Sequence, residues 1–320
     1  MQLTLNVLIF ALGFFIAGII RFKTKETHAA LDDLVKKLRY VTNAFVSKGP
    51  TKLEPSNEKS REVPISEGDL LTIAQCEELP PESWQRRAYD SVKAILLAQN
   101  TDKKKFPCIY ATAGYNQNSH RYTFMHSNDP TEPRNIHLLA SALRAYLPLS
   151  HSLGPNTSLI IIHPNTSSKS SPPAPSDLSV SDYQQKFWSL LRSLRTADTQ
   201  PWPRDIPTTT SAAKWAFCFD GVPWFPAAMT PAHSQRQSRH APFFTVAMQP
   251  KWVFDNLFKT PEKRRAAVDA VRKLMPAYDK VAPSPDLSAY GTEGTTEAHQ
   301  YFLLDENETA WCPYRDLDGC

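Results

Sequence analysis

The hydrophobic positions of the chain form one long run near its start, followed by short segments separated by polar residues. The long run covers residues 3–22 and reads LTLNVLIFALGFFIAGIIRF. It is mostly apolar and has the length, about 18 residues or more, that a membrane-spanning helix needs. Arg21, Lys23 and Lys25 lie at its end, and positive residues there favour the cytoplasmic side. A cleaved signal peptide is the alternative, but no basic segment precedes the run.

We therefore predict a transmembrane anchor at residues 1–22. The protein would be single-pass, with its body on the cytoplasmic face of a membrane, that of the endoplasmic reticulum in a eukaryotic host. Residues 23–64 are charged and polar and include a Pro-containing stretch, which is typical of a stalk or linker. The catalytic domain would then comprise residues 65–320.

Within this body the apolar residues follow two periods. Helical spacing predicts helices at residues 84–98, 135–146, 182–194, 252–258 and 261–275. Short apolar or alternating runs predict strands at residues 106–110, 121–125, 158–163, 215–219, 223–229 and 242–249. The dipeptide Asp220-Gly221 favours a hairpin turn. Since the elements lack a regular βαβ alternation, we predict an α+β fold with a mixed, mainly antiparallel sheet packed with helices, preceded by one N-terminal transmembrane helix.

Composition excludes several classes of protein. Glycine is scarce, at 10 residues, and no Gly-rich phosphate-binding motif occurs, which argues against dinucleotide enzymes and P-loop NTPases. The net charge of +4 comes from scattered basic residues, so nucleic acid is not a predicted partner. The 5 cysteines are widely spaced without a CxxC pair, which argues against a disulfide framework or a structural zinc site.

One loop concentrates the unusual chemistry of the chain. It reads TPAHSQRQSRH at residues 230–240 and places His233 beside Arg236 and Arg239. Aromatic residues that could form apolar walls flank it on both sides: Trp215, Phe217 and Trp252. A haem needs an apolar slot, an axial nitrogen and cations for its carboxylates. In this interpretation His233 binds the iron, and Arg236 and Arg239 pair with the propionates.

The same residues admit other interpretations. A histidine near arginines is often a hydrogen-bonded loop residue, and aromatic residues around strands are often core. Cys218 could be a thiolate ligand of haem, although its apolar surroundings favour a buried structural cysteine, as they do for Cys108. His163 could be a second ligand or simply the end of a buried strand.

Beyond single motifs, a series of short stretches resembles the YqcI/YcgG family in order and spacing over roughly residues 80–305. They are FPC at 106–108, FWSLL at 187–191, Asp198 with PWP at 201–203, WAFCF at 215–219, TPAHSQRQSR at 230–239, QPKWVFD at 249–255, YD at 278–279, PDL at 285–287, YG at 290–291 and QYFL at 300–303. Each stretch is unspecific alone, and together they are specific.

The resemblance implies a haem-dependent oxygenase that N-hydroxylates an amine, an amino acid such as arginine or a guanidino group in specialised metabolism. It implies a b-type haem with a histidine ligand, a role that falls on His233 within the TPAH stretch. The expected partners are O2 or peroxide, a small-molecule amine or amino-acid substrate and a membrane-bound reductase. Asp220 or Asp255 would hold a substrate cation.

Two further classes of function are compatible with the sequence. One is a haem-binding or haem-carrying protein without oxygenase activity, in which His163 or His240 supplies a second axial ligand. The other is a cofactor-free interaction protein tethered to a membrane. An absorption spectrum distinguishes the second class from both haem-binding classes, and a turnover assay separates the oxygenase from the carrier.

Overall fold

The computed structural model describes residues 67–98, 104–165, 178–287 and 291–309. The anchor predicted at residues 3–22 and the stalk predicted at residues 23–64 lie outside these residues. Within them, no helix has both the length and the apolar character that crossing a membrane requires. On this finding we correct the predicted fold class, with its transmembrane helix, and the predicted single-pass location: the described residues form an α+β domain.

Five strands form one sheet. They are β1 (His120–Phe124), β2 (Ser158–Ile162), β3 (Phe217–Phe219), β4 (Val222–Met229) and β5 (Thr245–Pro250), in the spatial order β1-β2-β5-β4-β3. The β1–β2 pair is parallel and the other three pairs are antiparallel. Asp220 and Gly221 join β3 to β4 with φ of 56° and 69°, the left-handed pair that a two-residue hairpin turn requires.

The helices of the described residues surround this sheet. They are α1 (Ile73–Glu77), α2 (Trp84–Leu96), α3 (Ile109–Asn116), α4 (Pro133–Leu153), α5 (Val180–Thr196), α6 (Trp252–Leu257), α7 (Pro261–Tyr278) and α8 (Ala298–Tyr301), with a short 3-10 turn at Gln237–Arg239. The strand predicted at residues 106–110 is wrong, because these residues form an irregular segment and the first turn of α3.

Side-chain caps determine where four of these helices begin. The hydroxyl oxygens of Thr72, Ser83, Ser179 and Thr260 each accept a hydrogen bond from a backbone N–H in the first turn of α1, α2, α5 and α7. Such a cap stabilises a helix by about 0.5–2 kcal/mol. In α7 the cap is followed directly by Pro261, a residue that suits the first helical position because its missing N–H has no partner there anyway.

Strand β2 lies at the centre of two hydrophobic clusters. All five of its residues are buried. Leu159 and Ile161 pack into a cluster with α4, α5 and α8, whereas Ile160 and Ile162 pack into a second cluster with α1, α2 and β1. An uninterrupted apolar strand is expected where helices cover both faces of a sheet. Burial of each aliphatic side chain contributes roughly 1.5–3 kcal/mol.

Candidate functional site

An apolar cavity of about 220 Å3 lies between helices α2, α3 and α7 and the face of the sheet that carries Ile160. Its walls are mainly aliphatic and aromatic and include Phe225 of β4 and Phe254 of α6. We call it the Arg239 cavity. Six polar or ionisable residues also line it: Cys108, His120, Ser158, Ser238, Arg239 and Gln249. A mainly apolar cavity with few polar groups is the usual form of a small-molecule or cofactor site.

Arg239 is the cation of this cavity. Its guanidinium donates hydrogen bonds to the backbone oxygens of Ala228 at 3.3 Å, Tyr301 at 3.3 Å and Gln300 at 2.7 Å. None of the ion pairs within the described residues includes it. Burial, together with Arg236, lowers the pKa of Arg239 to about 10, so it stays charged at neutral pH. A partly buried cation that has no carboxylate partner among the described residues is costly, and an anionic group entering the cavity would relieve that cost.

His120, the first residue of β1, is the second notable group. Its side chain is fully buried, and neither ring nitrogen has a hydrogen-bond partner in the described part of the chain. Burial, with a smaller effect of Arg121, lowers the pKa of His120 to about 4, so the ring is neutral at pH 7. A neutral imidazole is the form that binds metal ions. Buried nitrogens without partners are rare in folded proteins and call for an explanation.

Gly114 of α3 permits the position of the His120 ring. A Cβ at residue 114 would lie 2.6 Å from His120 Nε2 and 2.2 Å from the backbone oxygen of Asn156. Both separations are shorter than van der Waals contact. Only glycine therefore lets α3 approach the imidazole and the residue 156 backbone so closely.

His233 lies elsewhere and is fully engaged. It is 1% exposed, its Nδ1 is 2.8 Å from the Thr230 hydroxyl, and its Nε2 is 2.8 Å from the Leu303 carbonyl oxygen. Because a carbonyl only accepts, Nε2 carries the proton and Nδ1 accepts from Thr230. Burial lowers the pKa of His233 to about 4. To bind iron, as the sequence predicted, His233 would first have to give up one of these hydrogen bonds.

Arg236 is also engaged with the chain itself. It is fully buried; its Nε donates to the Leu304 oxygen at 2.7 Å, and its Nη1 donates to the Ala282 oxygen at 3.3 Å. Its backbone N–H donates to the Asp305 carboxylate at 2.8 Å. These contacts hold the segment after α8 against the loop at residues 230–240, and Arg236 is not among the residues that line the Arg239 cavity.

The three predicted aromatic wall residues lie outside the cavity. Trp215 and Phe217 are fully buried in the hydrophobic cluster on the α4 and α5 side of the sheet. Trp252 stacks on His151, with 4.5 Å between ring centroids. Of the predicted site residues, the structure therefore brings Arg239 alone to the cavity.

The two predicted substrate carboxylates also lie away from it. Asp220 occupies the β3–β4 turn, where its carboxylate is 3.4 Å from Nε of Arg144. Asp255 is more than half exposed on α6 and accepts from Lys251 Nζ at 2.6 Å. Both side chains have surface partners that account for their positions.

The remaining candidates divide between the cavity and the core. Cys108 lines the cavity, and burial raises the pKa of its thiol. Cys218 is buried in β3, and burial raises the pKa of its thiol to about 12. His163 donates from Nδ1 to the Ser127 oxygen at 3.1 Å, and His240 donates from Nδ1 to the His233 oxygen at 2.9 Å. None of the last three lines the cavity.

Sequence reasoning missed His120. It stands at the start of HRYTF, a segment that was recognised as a strand only from residue 121. The pattern that could have indicated His120 is a histidine at the start of an apolar strand, shortly after Gly114. The sequence alone does not distinguish such a histidine from an ordinary polar residue at the end of a strand.

The residues around the Arg239 cavity are of the chemical types that bind haem. A haem requires an imidazole nitrogen for its iron, a cation for a carboxylate and apolar walls for its ring, and His120, Arg239 and the wall residues supply these. The volume is below the roughly 300–1,000 Å3 of most small-molecule sites, so the flanking helices would have to move apart. No group of three or more metal-binding side chains occurs in the residues that the structure describes.

The fold and this cavity define an α+β domain with an internal, mainly apolar cavity. The chain belongs to the YqcI/YcgG family, whose model matches residues 93–315. This confirms the resemblance inferred from the sequence motifs.

Three relatives support the assignment. YcgG of Bacillus subtilis (strain 168) is 36% identical over 246 residues, covering 75% of this chain and 91% of that protein. YqcI of the same organism is 37% identical over 216 residues, covering 67% and 82%. A Streptomyces lavendulae protein named "Putative N(omega)-hydroxy-L-arginine synthase DcsA" is 26% identical over 279 residues, covering 86% and 97%. No solved structure matches the chain.

Proposed function

We propose that this protein is a haem-dependent oxygenase that hydroxylates a nitrogen atom of an amine, an amino acid or a guanidino compound. The name of the Streptomyces relative supports the reaction class, since it describes the synthesis of an N-hydroxylated arginine. The observation that carries the proposal is the pairing of two groups in one apolar cavity: the buried imidazole of His120, which has no hydrogen bond to the described residues, and the partly buried guanidinium of Arg239, which is outside any described ion pair.

In this proposal His120 would bind the haem iron, and Arg239 would pair with a carboxylate group of the haem. Haem bound there would supply the activation of oxygen. His120 is favoured over His233 because it loses no hydrogen bond on binding a metal, whereas His233 would have to release Thr230 or the Leu303 carbonyl. Arg239 can keep its backbone contacts while its charge neutralises a carboxylate.

The apolar walls have a second role, which is to keep bulk water from the reacting nitrogen. The reaction converts N–H to N–OH. With hydrogen peroxide, the other oxygen atom leaves as water and no reductant is needed; with O2, two electrons and two protons from an external reductase complete the balance.

The test is the absorption spectrum of the purified full chain, as isolated and after haem addition. We expect a Soret band that His120→Ala abolishes or shifts and that His233→Ala retains wherever the variant folds. If a folded His233→Ala variant loses the Soret band and His120→Ala retains it, the iron ligand is His233 and not His120. A chain that binds no haem after reconstitution would overturn the cofactor. Mass spectrometry of L-arginine after turnover, looking for one added oxygen atom, tests the reaction.

A further inference from the structure

A second, smaller pocket adjoins the Arg239 cavity. It has a volume of about 100 Å3 and is walled by five aromatic residues: Trp224, Phe225, Phe254, Phe258 and Tyr301. Its polar groups are Glu297, Gln300 and Lys251. We call it the Glu297 pocket. Phe225 and Phe254, whose ring centroids are 4.7 Å apart, line both compartments and form a shared wall.

Glu297 is a buried carboxyl group with few polar contacts to offset the cost of its burial. It is 5% exposed, and its side chain has one hydrogen bond within the described residues, from Gln300 Nε2 at 3.4 Å. Lys251 also lines the pocket, but its ammonium lies 2.6 Å from the Asp255 carboxylate at the surface. Burial raises the pKa of Glu297 to about 8, against a smaller opposing effect of Lys251.

We propose that the Glu297 pocket binds the positively charged group of the substrate, an ammonium or a guanidinium. Aromatic faces attract cations, and a carboxylate at the same place adds a charge-assisted hydrogen bond. Among the described residues, no other carboxylate lines either compartment. A substrate cation held there would be separated from the Arg239 cavity by the Phe225–Phe254 wall alone.

This inference rests on the proposed function for the reaction that follows binding, but cation binding is measurable without turnover. Isothermal titration calorimetry of the full chain with L-arginine gives the dissociation constant. We expect Glu297→Gln to weaken binding at least about tenfold, and Glu297→Asp to retain part of the affinity. The matched control is Glu293→Gln, which removes the same charge from an exposed position of the same segment.

Two analogues identify the cation. L-citrulline keeps the α-ammonium group and lacks the guanidinium, whereas 4-guanidinobutanoate keeps the guanidinium and lacks the ammonium. A Glu297-dependent affinity for one of them supports the proposal and assigns the charged group. Equal affinities of wild type and Glu297→Gln for L-arginine, or no binding of any of the three compounds by the wild type, would overturn it.

The pH profile separates a direct contact from a structural role. Because a bound cation favours the ionised carboxylate, affinity should rise as pH increases from 6.5 to 8, and binding at pH 7 should release a proton. Among the described residues, Lys251 is the other charged group that lines the pocket, and the Tyr301 phenol donates instead to the Trp224 backbone oxygen at 3.1 Å. Glu297→Gln should lose this slope. Intact Glu297-dependent binding without an oxygenated product would refute the proposed reaction, but it would still support cation binding in the Glu297 pocket.

Discussion

His120 and Arg239 line one apolar cavity, although they come from distant parts of the chain. His120 opens β1, and Arg239 ends the 3-10 turn after β4. His120 is a neutral imidazole that has no hydrogen bond to the described residues, and Arg239 is a cation whose described partners are backbone oxygens. Each has a capacity for interaction that the protein itself does not use fully, which is the property expected of residues that meet a ligand.

The charge and shape of Arg239 should both matter for haem binding. We expect Arg239→Met to weaken haem affinity by about tenfold or more, since a charge-assisted hydrogen bond is lost. The haem affinity of Arg239→Lys should lie between those of the wild type and Arg239→Met, because an ammonium keeps the charge but not the planar, two-pronged hydrogen-bonding geometry of a guanidinium. Spectroscopic titration with haem measures both. Arg144→Met, which removes an exposed cation near the β3–β4 turn, should leave the affinity unchanged. An Arg239→Met variant with wild-type affinity would remove the propionate role.

Gly114→Ala should destabilise the fold despite the higher helix propensity of alanine. The new methyl group would lie 2.2 Å from the Asn156 oxygen and 2.6 Å from His120 Nε2. We expect the free energy of unfolding to fall by roughly 1–3 kcal/mol. This is a net value, in which the higher helix propensity of alanine has already offset at most about 1 kcal/mol of the steric cost. Urea denaturation measures it. If α3 instead shifts at no cost, the variant will be as stable as the wild type, and the close approach is then not required.

Asp305 should stabilise the loop at residues 230–240 through its charge. Its carboxylate accepts from the backbone N–H groups of Ser234 at 2.7 Å, Gln235 at 3.1 Å and Arg236 at 2.8 Å. Burial alone would raise its pKa, but these hydrogen bonds outweigh burial and the pKa is lowered. The stabilisation is therefore complete above the unfolded value of 3.8 and is lost as the pH falls below it.

Replacement of this carboxylate tests the assignment. Asp305→Asn should cost about 1.5–3 kcal/mol of unfolding free energy at pH 7, and less at pH 3, where the wild type has begun to lose the same interaction. Chemical denaturation at the two pH values gives the difference. Glu306→Gln changes an exposed neighbour and should have little effect. A pH-independent cost for Asp305→Asn would show that the charge is not what stabilises the loop.

Three buried histidines should make the protein sensitive to mild acid. Burial lowers the pKa values of His120, His163 and His233 from 6.5 to about 4. Between these pH values the unfolded chain binds more protons than the folded one, so stability falls as the pH drops from 6.5 to 4. Urea denaturation at pH 7, 5.5 and 4.5 should show this fall. His163→Gln should reduce the slope, and His137→Gln, at an exposed position on α4, should not.

Local sequence accounts for much of the fold that the described residues show. The run SLIII predicted a buried strand, and the structure makes it β2, covered on both faces. Asp220-Gly221 predicted the β3–β4 hairpin because few residues adopt positive φ without cost. The exception, residues 106–110, was assigned as a strand from apolar residues, but a short apolar run does not distinguish a strand from the start of a helix.

The site was less predictable. The sequence indicated the loop at residues 230–240 because of its His and Arg content. In the structure, the His and Arg side chains of this loop lie in different environments. Arg239 lines the cavity, whereas His233 and Arg236 bind backbone oxygens of Leu303 and Leu304 after α8. Spacing along a loop does not determine which side chains find partners elsewhere in the chain.

By itself, the sequence determined the family, the periodicity of most helices and strands and the hairpin at Asp220-Gly221, because these depend on residues that are neighbours along the chain. Tertiary structure alone decided that His120 is buried without a hydrogen-bond partner among the described residues, that Arg239 lines the same cavity and that Glu297 lines an aromatic pocket beside it. Burial and hydrogen-bond satisfaction depend on which distant segments pack together, and these two properties, more than residue type, distinguish a side chain that supports the fold from one that is left to meet a ligand.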